Sequence, residues 1–167
     1  ARTVRKAGYE ADYEIEVITH DQSTDIAEAV GGGRTASTQK GAGDQGIMYG
    51  YACLETDELL PLPVVLAHRL TRLLTDARKA GMIQGLEPDG KAQVSVEYVF
   101  GLPSRITSVV ISCQHEENKS LDDLRREVME YVVMPALREL PPDEETELLI
   151  NPSGRFVLGG FEADTGL

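Results

Sequence analysis

From residue 47 onward, the spacing of apolar residues switches between the period of a strand and the period of a helix. The order of those switches limits the fold more than any single residue does. Residues 47–54 read as a strand, and "ETDELLPLP" leads out of it. Val64, Leu66, Ala67, Leu70, Leu73, Leu74 and Ala77 then recur at helical spacing, with Pro63 suited to the first turn and Gly81 to the C-terminal cap. The segment "LEPDGK" turns into a strand over 93–100, "GLPS" makes a second turn, and 105–114 returns, so these two strands pair as a hairpin. A second helix follows, with Ser120 as N-cap, Asp122 and Asp123 in its first turn, and Leu121, Leu124, Val128, Tyr131, Val132 and Leu137 on one stripe. Pro135 kinks this helix or starts a new turn. After the loop "PPDEE", the segment "TELLINP" supplies a last strand. The expected fold is a two-layer α+β structure: a β-α-β-β-α-β unit with two helices on one face of a mixed four-stranded sheet.

Ahead of this unit, residues 13–19 alternate polar and apolar and read as a half-buried strand. Residues 20–40 are polar, contain three successive glycines and show little periodicity, so they read as a long mobile loop. Loops of that length inside a domain serve as lids, binding loops or linkers.

The charge balance excludes several partners. The 167 residues carry 16 Lys+Arg against 28 Asp+Glu, a net charge of −12, and nothing gathers the basic residues into a stripe. Nucleic acid and anionic membrane are therefore not expected partners. The apolar runs fall well short of the roughly 20 residues of a membrane span, and no secretion signal is visible. The chain is read as cytoplasmic, with Cys53 and Cys113 as reduced core thiols in strand-like runs. His20, His68 and His115 lack metal-ligand spacing and read as structural or surface residues. The acidic stretches "EADYEIE" and "PPDEETE" read as solvated faces.

Three segments invite a chemical reading beside an ordinary one. "KGAGDQGIMYG" sets four glycines around Asp44 and Gln45. It matches neither a Walker A loop nor a dinucleotide fingerprint. It is either a place where backbone must pass very close to something, or a tight turn whose Asp44 satisfies nearby N–H groups. In "LEPDGKAQV", Pro88, Asp89 and Gly90 form a turn presenting Lys91 at the mouth of a strand, as a functional cation or a solvated edge residue. In "NPSGRFVLGG", Phe156 is a core aromatic or a flat ring free to stack, and Arg155 can hold phosphate or base edges.

"GAGDQGIMYGYA" resembles the signature of methionine adenosyltransferases, the S-adenosylmethionine synthetases. "DQSTDI", "LEPDGKAQV", "NPSGRFVLGG" and "ADTGL" resemble further segments of that family in the same order, from about residue 22 to residue 167. Three similar β-α-β-β-α-β units interlock in the family. The resemblance implies that residues 1–40 are the end of the first unit with a gating loop. Residues 41–158 are then the central unit, and 159–167 lead toward the third.

The family joins methionine to ATP: the thioether sulfur attacks the ribose 5′ carbon, and triphosphate departs and is hydrolysed. By resemblance, Asp89, Gly90, Lys91, Arg155, Phe156 and Asp164 contact ATP, with Lys91 catalytic at the departing triphosphate. Gln22, Asp44 and Asp164 contact methionine, and the loop beyond Gln22 acts as a lid. The chain departs from the family pattern at Glu87, where arginine is usual, and at Thr24 and Phe161, where proline is usual. Mg²⁺ and K⁺ are implied as cofactors, with their protein ligands outside this chain, because the family's HPDK segment and its other metal carboxylates are expected upstream of residue 1. A homodimer or dimer of dimers with the active site at the subunit interface is also implied. The 167 residues alone are expected to be inactive. A non-catalytic nucleotide-binding or assembly module derived from the family is the alternative, and a generic α/β domain with a mobile loop is the reading from physics alone.

Overall fold

The computed structural model describes residues 2–9, 14–31, 42–160 and 163. Its elements are α1 (Arg2–Ala7), α2 (Thr24–Gly31), α3 (Leu62–Lys79), β1 (Leu86–Val99), β2 (Leu102–His115), α4 (Leu121–Val128), a π-helical turn (Met129–Val133), α5 (Met134–Ala136) and β3 (Glu147–Ile150). Two compact units separate. Residues 14–31 and 42–51 belong to the first, and 2–9, 52–160 and 163 to the second.

In the second unit the sheet has three strands in the order β1-β2-β3, with β1 antiparallel and β3 parallel to β2. It is mixed, as expected, but the expected fourth strand is missing. Residues 47–54 take no regular structure, and Ile47, Met48 and Tyr49 are more than four-fifths exposed. Residues 14–19 likewise form no strand. A strand needs a neighbouring backbone to complete its hydrogen bonds, and an alternating pattern does not supply one.

Helix α3 forms where the period predicts it. Its first N–H groups have no intrahelical partner, and Glu55 meets one of them by accepting from the Leu62 N–H at 2.9 Å. The Glu55 carboxylate also accepts from the Tyr98 hydroxyl at 2.6 Å, and these two bonds, the tyrosine first, lower its pKa. The helix ends in a Schellman arrangement: Gly81 sits at φ +66°, the Gly81 N–H donates to Arg78 and the Met82 N–H to Ala77. The hairpin turn lies two residues earlier than "GLPS". Phe100 and Gly101 have φ of +51° and +80°, the signs of a type I′ turn, with the Phe100 side chain fully exposed.

The second helical run begins on Ser120, whose hydroxyl accepts from the Asp123 N–H. Pro135 cannot donate to the carbonyl four residues back, and the π turn precedes it, with the Met134 N–H reaching Met129. One buried cluster joins Leu66, Leu70 and Leu74 of α3 with Ile106, Val109 and Ile111 of β2, and Leu124, Val128 and Val132 from the second run. Both helical runs therefore cover one face of the sheet. Cys113 is buried in this core and Cys53 half-buried outside any strand; both are free thiols, and burial pushes Cys113 up to about 12.

The "PPDEE" loop is pinned rather than simply solvated. Arg105 holds both oxygens of Asp143 at 2.7 Å and lies 3.6 Å from Glu97 and from Glu145. Where β3 ends, Asn151 takes φ +46° and its side-chain amide stands in for the next peptide of the strand. Its oxygen accepts from the Cys113 N–H at 2.8 Å, and its nitrogen donates to the Cys113 carbonyl at 2.9 Å.

Asn151→Gly keeps the left-handed backbone accessible but strands the Cys113 N–H and carbonyl in a buried site. It is expected to lower stability by about 2–5 kcal/mol, as one or two unsatisfied buried groups do. Urea denaturation checks this, and a loss below about 1 kcal/mol would show that the amide is dispensable.

Arg105 holds the Asp143 carboxyl well below its ordinary value of 3.8, helped by the Thr146 hydroxyl and the Glu145 N–H. A carboxylate depressed on folding contributes stability that is complete above the unfolded pKa and is lost as pH falls through the folded one. The melting-temperature difference between the parent chain and Asp143→Asn is therefore expected to be constant from pH 7 to about pH 5 and to shrink below about pH 4. A constant difference down to pH 2.5 would contradict it.

Candidate functional site

The predicted nucleotide residues of the second unit gather around the end of β2. Sequence alone suggests that "PDG" is a free turn before a strand. Instead, Pro88, Asp89 and Gly90 lie inside β1 as a bulge. Leu86 faces His115 and Gly90 faces Cys113, so the β1 side carries two more residues than the β2 side. Bulges re-aim side chains. Here the Asp89 carboxylate accepts from the Gly160 N–H at 2.9 Å, while the Asp89 N–H donates to the Gln114 side-chain oxygen at 3.4 Å.

Lys91 follows the bulge, opposite Ser112, exposed, and in no ion pair among the described residues. Gly90 has no positive φ, and a Cβ there would meet only ordinary contacts with Leu74 and the Ser112 carbonyl. Its small size is not what the local packing demands.

Residues 155–160 form no strand, yet they are held at several points. The His115 N–H donates to the Phe156 carbonyl at 2.9 Å, and His115 Nε2 accepts from the Phe156 N–H at 3.1 Å. The Gln114 side-chain nitrogen donates to the Val157 carbonyl at 2.9 Å. Gly159 is required by close approach: a Cβ would lie 2.8 Å from the Gln114 amide carbon and 2.9 Å from the Phe156 ring. Phe156 is half-buried. Arg155 is exposed and donates to the Glu117 carbonyl and carboxylate at 3.3 and 3.4 Å. Asp89 and Phe156 are thus brought to one place through Gln114 and His115, with Lys91 two residues along β1 from Asp89.

In the first unit, Gln22 and Asp44 are exposed. The Gln22 side-chain nitrogen packs against Gly43, lying 3.2 Å from where a Cβ would stand, so the glutamine and the start of the glycine cluster are neighbours. Asp44 accepts from the Gln45 N–H at 2.7 Å, the local bond of a tight turn. The expected long loop contains α2, capped by Ser23, which accepts from the Ile26 N–H at 3.3 Å. Residues 32–40 of that loop and Asp164 lie outside the described residues.

Two participants escape a sequence reading. Tyr9 stands against Gly160, and burial first, then Asp89, pushes its phenol pKa up. Arg78 packs on Gly8, donates to the Ala7 carbonyl at 2.8 Å, and shares with Asp89 a cavity of about 70 Å³ that also touches Thr75, Pro88 and Cys113. In the sequence, Arg78 looks like an ordinary last-turn cation, and Tyr9 carries no local signal.

That cavity is far below the roughly 300 Å³ at which ligand pockets begin. A recess of about 610 Å³ elsewhere is rimmed by Glu55, Asp57, Glu58 and Glu139 with Arg69, a lining that repels phosphate. Among the described residues no group of three or more His, Cys, Asp or Glu side chains converges. No described helix is long and apolar enough to cross a membrane.

The family model of the S-adenosylmethionine synthetase central domain matches residues 39–156. The S-adenosylmethionine synthase of Desulfosudis oleivorans is 44% identical across 99% of this chain and 45% of its own length. That of Solidesulfovibrio magneticus is 46% identical across 99% of this chain and 44% of its own length. The chain spans less than half the length of these curated relatives. With the central-domain match covering more than half of its residues and these identities running its whole length, the chain belongs to the S-adenosylmethionine synthetase family.

Proposed function

We propose that this segment supplies the nucleotide-facing part of a methionine adenosyltransferase, which forms S-adenosylmethionine from ATP and methionine. The observation that carries the reading is the gathering of Asp89, Lys91, Arg155 and Phe156 around one strand end within a chain of this family. A methionine sulfur lone pair attacks the ribose 5′ carbon, the bond from that carbon to the triphosphate oxygen breaks, and triphosphate leaves with the electron pair. A thioether has no proton to lose, so no base is needed. The leaving group carries the difficulty, because its growing negative charge must be met by fixed cations. Lys91, in no ion pair among the described residues, is the cation this segment offers there. The Phe156 ring stacks on adenine and Arg155 exchanges Glu117 for phosphate, while Asp89 fixes the backbone at Gly160.

On this reading Asp164 faces nucleoside and methionine, Gln22 and Asp44 contact methionine, and the site is completed across a homodimer or dimer of dimers. Mg²⁺ and K⁺ are held by residues beyond these 167 and neutralise phosphate charge when bound.

In the full-length polypeptide carrying this segment, Lys91→Ala is expected to lower kcat about 100-fold, on the order of 3 kcal/mol, with a much smaller change in the KM for methionine. Steady-state kinetics decide it; a variant keeping more than about half of parental turnover would reduce Lys91 to an edge residue.

The 167 residues alone are expected to make no S-adenosylmethionine with ATP, methionine, Mg²⁺ and K⁺, because one flexible ammonium in a half-built site cannot compensate a departing triphosphate. Product within about tenfold of a full-length synthase would show a complete site in this segment.

A further inference from the structure

We propose that His115 is a positioning residue for the nucleotide, acting through Phe156; the proposal rests on the nucleotide reading of Arg155 and Phe156. His115 is completely buried, and each polar atom of its ring has a partner. Nδ1 lies 2.9 Å from the Glu116 carbonyl, which can only accept, so Nδ1 carries the proton. Nε2 is therefore bare and accepts from the Phe156 N–H at 3.1 Å. The His115 main-chain N–H meanwhile donates to the Phe156 carbonyl at 2.9 Å. One residue thus engages both backbone groups of Phe156, as in a hydrogen-bonded antiparallel pair, but with a ring nitrogen in place of the carbonyl.

Because residues 155–160 are not part of the sheet, these bonds and the Gln114 bond to Val157 set where the Phe156 ring and the Arg155 guanidinium stand. Gln114 also receives the Asp89 N–H, so the two residues carry the same registration across to the bulge before Lys91. A protonated Nε2, or an apolar ring in its place, leaves the Phe156 N–H without its acceptor. The segment then slides relative to Asp89. Such a shift weakens ATP, which lies on this segment, far more than methionine, whose expected contacts are Gln22, Asp44 and Asp164.

The test uses the full-length polypeptide and reads KM for ATP, KM for methionine and kcat separately. His115→Phe is expected to raise the KM for ATP about tenfold, the effect of orphaning one buried donor, and to change the KM for methionine by less than about twofold. His115→Gln, whose amide oxygen can take the place of Nε2, is expected to recover the KM for ATP to within about threefold of the parent. An ATP KM within about twofold of the parent in His115→Phe, an equal rise for both substrates, or no recovery in His115→Gln overturns the proposal.

If His115→Phe does not fold, Gln114→Ala carries the test. It is expected to raise the KM for ATP about threefold with the methionine KM unmoved, and an unchanged ATP KM there overturns the proposal as well. Phe156→Ala separates the two levels of inference. If it leaves the ATP KM unmoved, the nucleotide reading fails and this proposal with it. If it weakens ATP while His115→Phe does not, only the positioning role fails.

Discussion

Three successive residues at the end of β2 do work that regular structure does elsewhere in this unit. Past Ile150 and before Gly160 the chain has no strand partner, and buried peptide groups cannot be left unpaired. Cys113 meets this by pairing its peptide with the Asn151 side chain, Gln114 by bonding Val157 and Asp89, and His115 by taking both groups of Phe156. Each is a side chain imitating a strand. Arg125 reinforces the arrangement from α4 by donating to the Ile150 and Asn151 carbonyls. The core below is conventional, with apolar helix faces on one sheet face. The candidate site above it depends on these few polar bonds.

That difference explains what the sequence revealed and what it hid. α3, the hairpin and the second helical run were legible because their signals are local: an apolar stripe, a cap at Ser120, alternation on either side of a turn. The strand expected at 47–54 failed because an apolar run shows that a segment suits a sheet, not which backbone will pair with it. The hairpin turn was displaced because Phe100 adopts a positive φ, which the bulky side chain disfavours and only the register of β1 against β2 enforces. Pro88, Asp89 and Gly90 suit a bulge and a turn equally well, so composition could not separate the two.

The site residues were legible for a different reason. Asp89, Lys91, Arg155 and Phe156 were named from motifs, and no property of those residues alone distinguished them from surface or core positions. The residues that hold them are written in ordinary types at ordinary places. His115 and Gln114 close a strand, as many polar residues do, and only the complete burial of the histidine with both ring nitrogens engaged marks it out. Asp143 and Glu145 are exposed, as their acidic loop suggested, but their partner was hidden. Arg105 gathers both carboxylates, and ion pairing depends on what stands opposite rather than on local charge density.

A net charge of −12 does not by itself decide whether an anion is repelled at one place on the surface. Exposed charges are screened over about 8 Å at physiological ionic strength, so the neighbours of the phosphate decide, not the total. The cations of this chain then divide by how firmly they are already held. Arg105 is bound bidentately to Asp143, and freeing it for a ligand would sacrifice that geometry. Arg155 is tied only to Glu117, an exposed pair of the kind worth about 0–1 kcal/mol, so exchanging the carboxylate for phosphate costs little. Lys91 has no carboxylate to give up among the described residues. Glu87, half-buried on the bulge two residues before Asp89, opposes them and lowers the local potential. Near the end of β2 the capacity to meet an anion therefore rests on Lys91 and Arg155, neither of them firmly paired among the described residues, and both stand close to where the polar bonds of Gln114 and His115 hold the chain.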